Sequence, residues 1–207
     1  MTRTQARSAH MHAGPGHDVL ADVFFVGQRR RVYRRIATLS RARPGDQVLD
    51  VGCGDGYLTR LMAETVAPGG SALGVDQSRE TLRRARHITR DANCTFAEGT
   101  AQALDAADRS VDVVVSSLML HHLPEAGRER AVAEMFRVLR PGGRLLIAEF
   151  RPPTTGLMRH LIRPVASPAM QHNSLHLLEP LVTGRGFLRA ESGDLRPWIH
   201  YVRALKP

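Results

Sequence analysis

The sequence predicts an α/β protein built on one doubly wound, mostly parallel seven-stranded sheet, with a helical arm at its N-terminus. Three observations carry this. Short apolar runs alternate with segments of helical periodicity from residue 47 to residue 150. The first run, Val48-Leu49-Asp50-Val51, ends in glycines at alternate positions, Gly52, Gly54 and Gly56. Finally, 207 residues at 43% hydrophobic and 24% charged suit one sizeable core.

The chain divides into an arm and helix over 1–43 and a larger domain over 44–207. Residues 1–16 are polar and broken by Gly14-Pro15-Gly16, which reads as a mobile arm. A helix is predicted from Asp18 to Leu39, with Phe25, Val32, Ile36 and Leu39 on its docking side and Arg29-Arg30-Arg31 and Arg34-Arg35 toward solvent. Arg43-Pro44-Gly45-Asp46 is a turn into a strand over 47–51. Tyr57 to Val66 follows with Leu58, Leu61 and Met62 at helical spacing. Strands at 71–75, 94–98, 111–116 and 144–150 then alternate with helices near 78–90 and 125–139, the last ended by Pro141-Gly142-Gly143. Pro152, Pro153, Pro164 and Pro168 interrupt the rhythm, so a cap over the substrate is expected at about 151–184. Met158, His160, Met170, His172 and His176 lie in it. A helix near 174–184 and strands at about 187–193 and 197–204 close the chain, with Trp198, His200 and Tyr201 as packing residues.

A strand, a glycine turn and a helix make half of a nucleotide site. The spacing is Gly-x-Gly-x-Gly, whereas the dinucleotide fingerprint is Gly-x-Gly-x-x-Gly with a helix N-terminus aimed at a pyrophosphate. Asp50 before the loop and Asp55 inside it would repel a pyrophosphate and suit a ligand carrying an ammonium and a sulfonium. The residues therefore argue for S-adenosylmethionine over NAD. Asp76 ends the second strand 24 residues past Gly52, near the ~20 at which such folds place a ribose-binding carboxylate. Gln77 stands beside it.

On these motifs the chain resembles the class I S-adenosylmethionine-dependent methyltransferases. Over about 44–150 it is similar to their small-molecule branch, the group of ubiquinone and menaquinone C-methyltransferases and sugar O-methyltransferases. The resemblance implies a Rossmann-like sheet closed by an antiparallel hairpin, and methyl transfer to a small-molecule acceptor at O, C or N. It sets Gly99, Thr100 and Ala101 around adenine, with Thr100 where the family commonly has Asp, and it brings Ser116 at the end of the fourth strand near the methionine part of the cofactor. Ser116-Ser117-Leu118-Met119 lacks the prolines and aromatic of nucleobase amino-methyltransferases, and aromatics make up only 5% of the chain, so a nucleic-acid substrate is disfavoured. His121 and His122 follow the fourth strand, near where the methyl group should emerge. Imidazole titrates near neutral pH, and a carboxylate on one ring nitrogen makes the other a better proton acceptor. Either histidine is thus a candidate base, with Glu149 at the end of the fifth strand as its orienting partner. Tyr33 and Tyr57 read as core aromatics.

The formal charge of +9 sits mostly in residues 1–43, where nine Arg against Asp18 and Asp22 give +7. This leaves an anionic membrane surface open as a partner, and with it a lipid or quinone acceptor. A binding protein without catalysis would carry the same loop. His10, His12 and His17 fit no metal site, and Cys53 and Cys94 read as reduced thiols in a cytoplasmic protein without a membrane span.

Overall fold

The computed structural model describes Phe25, residues 27–153 and residues 175–207. The elements, in chain order, are α1 (Arg29–Leu39), β1 (Gln47–Val51), α2 (Tyr57–Val66), β2 (Ser71–Asp76), α3 (Arg79–Ile88), β3 (Cys94–Glu98), β4 (Val111–Ser117), α4 (Glu125–Val138), β5 (Leu139–Phe150), α5 (Leu178–Thr183), β6 (Leu188–Leu195) and β7 (Ile199–Leu205). One seven-stranded sheet has the order β3-β2-β1-β4-β5-β7-β6. The first five strands pair in parallel, and β7 runs antiparallel between β5 and β6. Strand order reverses between β1 and β4, which opens a crevice at their carboxyl ends.

Period-two alternation splits the strands between two apolar layers. Val113 and Val115 of β4 face one layer with Val32 and Ile36 of α1 and Leu58 and Met62 of α2. Val114 faces the other, with Val132 and Met135 of α4 and Leu178 and Val182 of α5. Each such side chain contributes about 1.5–3 kcal/mol by leaving water.

Four expectations are revised. The helix starts at Arg29, because Gly27 has φ +69° and the Gln28 N–H donates to the Phe25 carbonyl at 2.9 Å, closing a turn. Arg29 is buried on the docking face, while Arg30, Arg31, Arg34 and Arg35 are exposed. Pro141-Gly142-Gly143 lies within β5 as an irregularity: the register moves from Val111 opposite Leu139 to Val113 opposite Arg144. The expected cap falls partly on α5, whose Leu178 and Val182 pack into the core with Phe187. Its remainder, 154–174 with Met158, His160, Met170 and His172, lies outside the described residues, as do His10, His12 and His17.

Lys206 anchors the irregular stretch. Its N–H donates to the Gly143 carbonyl and its carbonyl accepts from the Gly142 N–H, both at 2.9 Å. Its ammonium donates to the carbonyls of Phe136 at 2.7 Å and Leu139 at 2.8 Å, and lies 4.6 Å from the Phe136 ring centre. A cation on carbonyls where α4 ends suits a helix C-terminus.

Candidate active site

All three loop glycines adopt left-handed φ, +76° at Gly52, +53° at Gly54 and +74° at Gly56. A Cβ on Gly52 would lie 2.2 Å from Met119 Cγ, and one on Gly56 2.5 Å from the Phe96 ring. One on Gly54 would meet nothing within 4 Å. Packing thus demands the outer two glycines, and the middle one presents bare backbone to the crevice, a cradle that any side chain would fill.

Asp76 joins this loop to β2. Its Oδ2 accepts from the Gly54 N–H at 3.0 Å and its Oδ1 from the Ser78 N–H at 2.9 Å, leaving lone pairs on both oxygens. Gln77 is exposed beside it. The Gly99 N–H donates to the Asp76 carbonyl at 3.1 Å, which puts Gly99, Thr100 and Ala101 at the β3 side of the same crevice. The Thr100 hydroxyl is bonded to Gln102, and Ala101 packs on the core.

Asp50 and Ser116 depart from the expected positions. Asp50 is 1% exposed beneath the loop and accepts the Thr59 hydroxyl at 2.6 Å. Burial pushes its pKa up to about 7, with Asp76 and Asp55 adding to the rise and Thr59 opposing it. The Ser116 hydroxyl donates to the Val51 carbonyl at 2.8 Å, stitching β4 to β1 below the glycines. Both therefore support the loop from behind. Asp55 is half of an ion pair, its Oδ2 2.8 Å from Arg29 Nη2, so the picture of two bare carboxylates flanking a ligand does not hold. Arg29 was legible as a buried position, since it precedes Val32 by three residues and Ile36 by seven; its place in an arginine run pointed the other way.

Across the switch point, Glu149 at the end of β5 is 2% exposed and organises the turn after β4. Its Oε1 accepts from the Met119 N–H at 3.0 Å and the Leu120 N–H at 2.7 Å. Its Oε2 lies 2.8 Å from Nδ1 of His121, which is itself buried. Leu118 takes φ +56° to enter this turn, and Arg128 Nε donates to the Leu120 and Leu123 carbonyls at 3.1 and 3.0 Å from α4. His121 Nε2 is buried with no partner among the described residues. His122 is exposed, its ring centre 4.0 Å from that of His121. Partial burial and the neighbouring His121 lower its pKa, while Glu149 and Asp76 pull the other way.

A glycine cradle at the switch point, an acid on the next strand and a buried His–Glu pair opposite are the parts of a candidate nucleoside site in an α/β protein. The sequence pattern of a methyltransferase domain matches residues 48–143. The demethylmenaquinone methyltransferase of Renibacterium salmoninarum is 37% identical over 192 residues, 89% of this chain and 77% of that protein. A ubiquinone/menaquinone biosynthesis C-methyltransferase of Ectopseudomonas mendocina is 36% identical over 146 residues, 69% of this chain; the chain spans 56% of that relative's length. Among solved structures, a methyltransferase from Aquifex aeolicus shares the fold with a TM-score of 0.71 at 18% identity, over 84% of this chain and 89% of the other. So does phosphoethanolamine N-methyltransferase 2 of Haemonchus contortus in complex with S-adenosyl-L-methionine, with a TM-score of 0.71 at 17% identity over 96% and 58%. The chain belongs to the class I S-adenosylmethionine-dependent methyltransferases. Its cofactor is S-adenosylmethionine and its reaction is methyl transfer to a small molecule. Among the described residues, no helix is long and apolar enough to cross a membrane.

Proposed function

We propose that the acceptor is a small molecule with an acidic hydroxyl or carbon, and that His121, oriented by Glu149, takes its proton during methyl transfer. The observation that carries this is the 2.8 Å contact between His121 Nδ1 and Glu149 Oε2 at the crevice. A proton on Nδ1 donated to the carboxylate leaves Nε2 as the acceptor nitrogen, in a setting kept from bulk water. The backbone of Gly52, Gly54 and Gly56 would hold the cofactor, with Asp76 and Gln77 at the ribose and Gly99, Thr100 and Ala101 at the adenine. Asp50 and Ser116 brace that loop. S-adenosylmethionine supplies a methyl carbon activated by its sulfonium. On transfer to the acceptor the electron pair of the broken carbon–sulfur bond would stay on sulfur, and His121 Nε2 would take the proton that the acceptor gives up. Alignment of the reacting atoms can supply about 7–11 kcal/mol of the acceleration.

Single-turnover methylation by His121→Ala, His122→Ala and Glu149→Gln, with cofactor affinity measured alongside, tests this. His121→Ala is expected to slow the methyl-transfer step about 10²–10⁴-fold with affinity little changed. Wild-type rates in both histidine variants would remove the base.

A second reading takes the acceptor to be a reduced quinone or another lipid met at a membrane surface. The names of the quinone-methylating relatives and the exposed face of Arg30, Arg31, Arg34 and Arg35 favour it. Each cation near an anionic surface contributes about 1 kcal/mol. Sedimentation with phosphatidylserine vesicles at physiological salt is expected to capture the wild type and to lose a variant with these four arginines changed to Gln.

A further inference from the structure

We propose that the cleft between the end of α1 and the β5, β7 and β6 strands is a second binding site, which takes a phosphoryl anion among the guanidinium groups of Arg41, Arg189 and Arg203. These three arginines, with Arg144 and a single acid, Glu191, line a cavity of about 80 Å³. That is well below the ~300 Å³ at which pockets for organic ligands begin, and it suits one small charged group. The cavity lies toward the opposite end of the sheet from the crevice: Arg144 and Glu149 stand five residues apart on β5, about 17 Å of strand. The site is therefore separate from the cofactor and from the acceptor, whatever the acceptor is.

The three arginines come from three elements. Arg41 follows α1 with φ +55°, and Arg189 on β6 has φ +52°. Leu188 pairs with Leu205 and Glu191 with Arg203, so Arg189 and Ala190 together stand opposite Ala204 alone. A bulge of this kind re-aims a side chain, and left-handed φ is uncommon in residues other than glycine. Arg203 comes from β7. Arg144 is already committed: its Nη1 donates to the Arg41 carbonyl at 2.6 Å and its Nη2 to Asp46 Oδ2 at 2.8 Å. What remains is three cations against one acid. Glu191 Oε2 accepts from Arg203 Nε at 3.1 Å and from Arg203 Nη2, and its Oε1 stands 3.9 Å from Arg41 Nη2. Arg189 has no partner among the described residues. The hydrogen bonds from Arg203, and then the charges of Arg203 and Arg41, hold the Glu191 carboxyl below its ordinary value, so negative charge is stabilised in this place. A carboxylate offers one charge in one plane and cannot answer three guanidinium groups. A phosphoryl group carries about −1.5 to −2 at pH 7 on three oxygens that point apart, and guanidinium forks match them.

NMR titration of the full chain with glycerol 3-phosphate at constant ionic strength, read on the backbone amides of Arg41, Arg189, Glu191 and Arg203, tests the site. Saturable shifts are expected there, and none from acetate. Arg189→Gln and Arg41→Gln are each expected to weaken binding about three- to tenfold. Glu191→Gln, which removes the competing acid, should tighten it about threefold or more. Arg83→Gln and Arg130→Gln make the same charge change at exposed arginines elsewhere and should bind as the wild type does. Phosphatidylcholine vesicles containing phosphatidic acid identify the source: capture that Arg189→Gln weakens assigns a lipid head group, and otherwise binding of glycerol 3-phosphate assigns a soluble ester. An acetate response equal to that of the phosphate ester, or the same loss in Arg83→Gln as in Arg189→Gln, would overturn the proposal, as would wild-type amides that do not move.

Discussion

Gly54 and Gly56 share a left-handed backbone and differ in what a methyl group would meet. Gly56→Ala drives a Cβ into the Phe96 ring and is expected to cost about 2–4 kcal/mol of stability, read from urea denaturation. Gly54→Ala should cost only the ~1 kcal/mol of its backbone, yet abolish calorimetric binding of S-adenosylhomocysteine, because the new methyl group fills the cradle. Asp76→Ala removes the acceptor of the Gly54 N–H as well as the proposed ribose contact. A loss of roughly tenfold to several hundredfold in cofactor affinity is expected from it. Asp50 brings a pH dependence. Its folded pKa, about 7, stands above the ordinary carboxylate value of 3.8, so the native state binds the extra proton and stability falls as pH rises from about 4 to 7. Asn in its place can still accept from Thr59 and cannot ionise. Asp50→Asn should therefore gain stability relative to wild type as pH increases, with the gap complete just above pH 7 in paired urea titrations; a constant gap from pH 5 to 8 would refute the buried charge.

Elements were legible where local pattern and burial agree. The motifs of β1, the glycine loop and α2 lie within twenty residues of one another, and their period-two and helical spacings need no distant partner. The run of β5 back to Leu139 was not legible, because Pro-Gly-Gly reads locally as a turn and what holds it extended is Lys206, more than sixty residues on. Asp50 and Ser116 illustrate the same limit at the site: sequence positions them at strand ends, but the partners that hold them behind the loop, Thr59 and the Val51 carbonyl, show only in the folded chain. The Glu149 partnership was readable from strand adjacency, though the choice of His121 over His122 required the turn that Leu118 begins. At this scale the test is Lys206→Met. Losing the donor to the Phe136 and Leu139 carbonyls should lower stability by about 1–3 kcal/mol.

For the whole molecule, the reversal of strand order between β1 and β4 brings together groups from distant parts of the chain. Asp76, the glycine loop, the β4 turn and Glu149 meet there because each ends a parallel strand on the same edge. That much follows from an alternating pattern of strands and helices; the antiparallel β6–β7 pair came from family likeness. Lys206, meanwhile, has a practical consequence. The sequence holds 28 arginines and this single lysine, and the fold shuts its amine among carbonyls under an aromatic ring. An acylating reagent such as a succinimidyl ester should therefore modify no side-chain amine while the protein is native and one when it opens. Mass spectrometry of labelled protein would count unfolded molecules directly, and a surface-coupling chemistry aimed at lysine would fail on the folded enzyme.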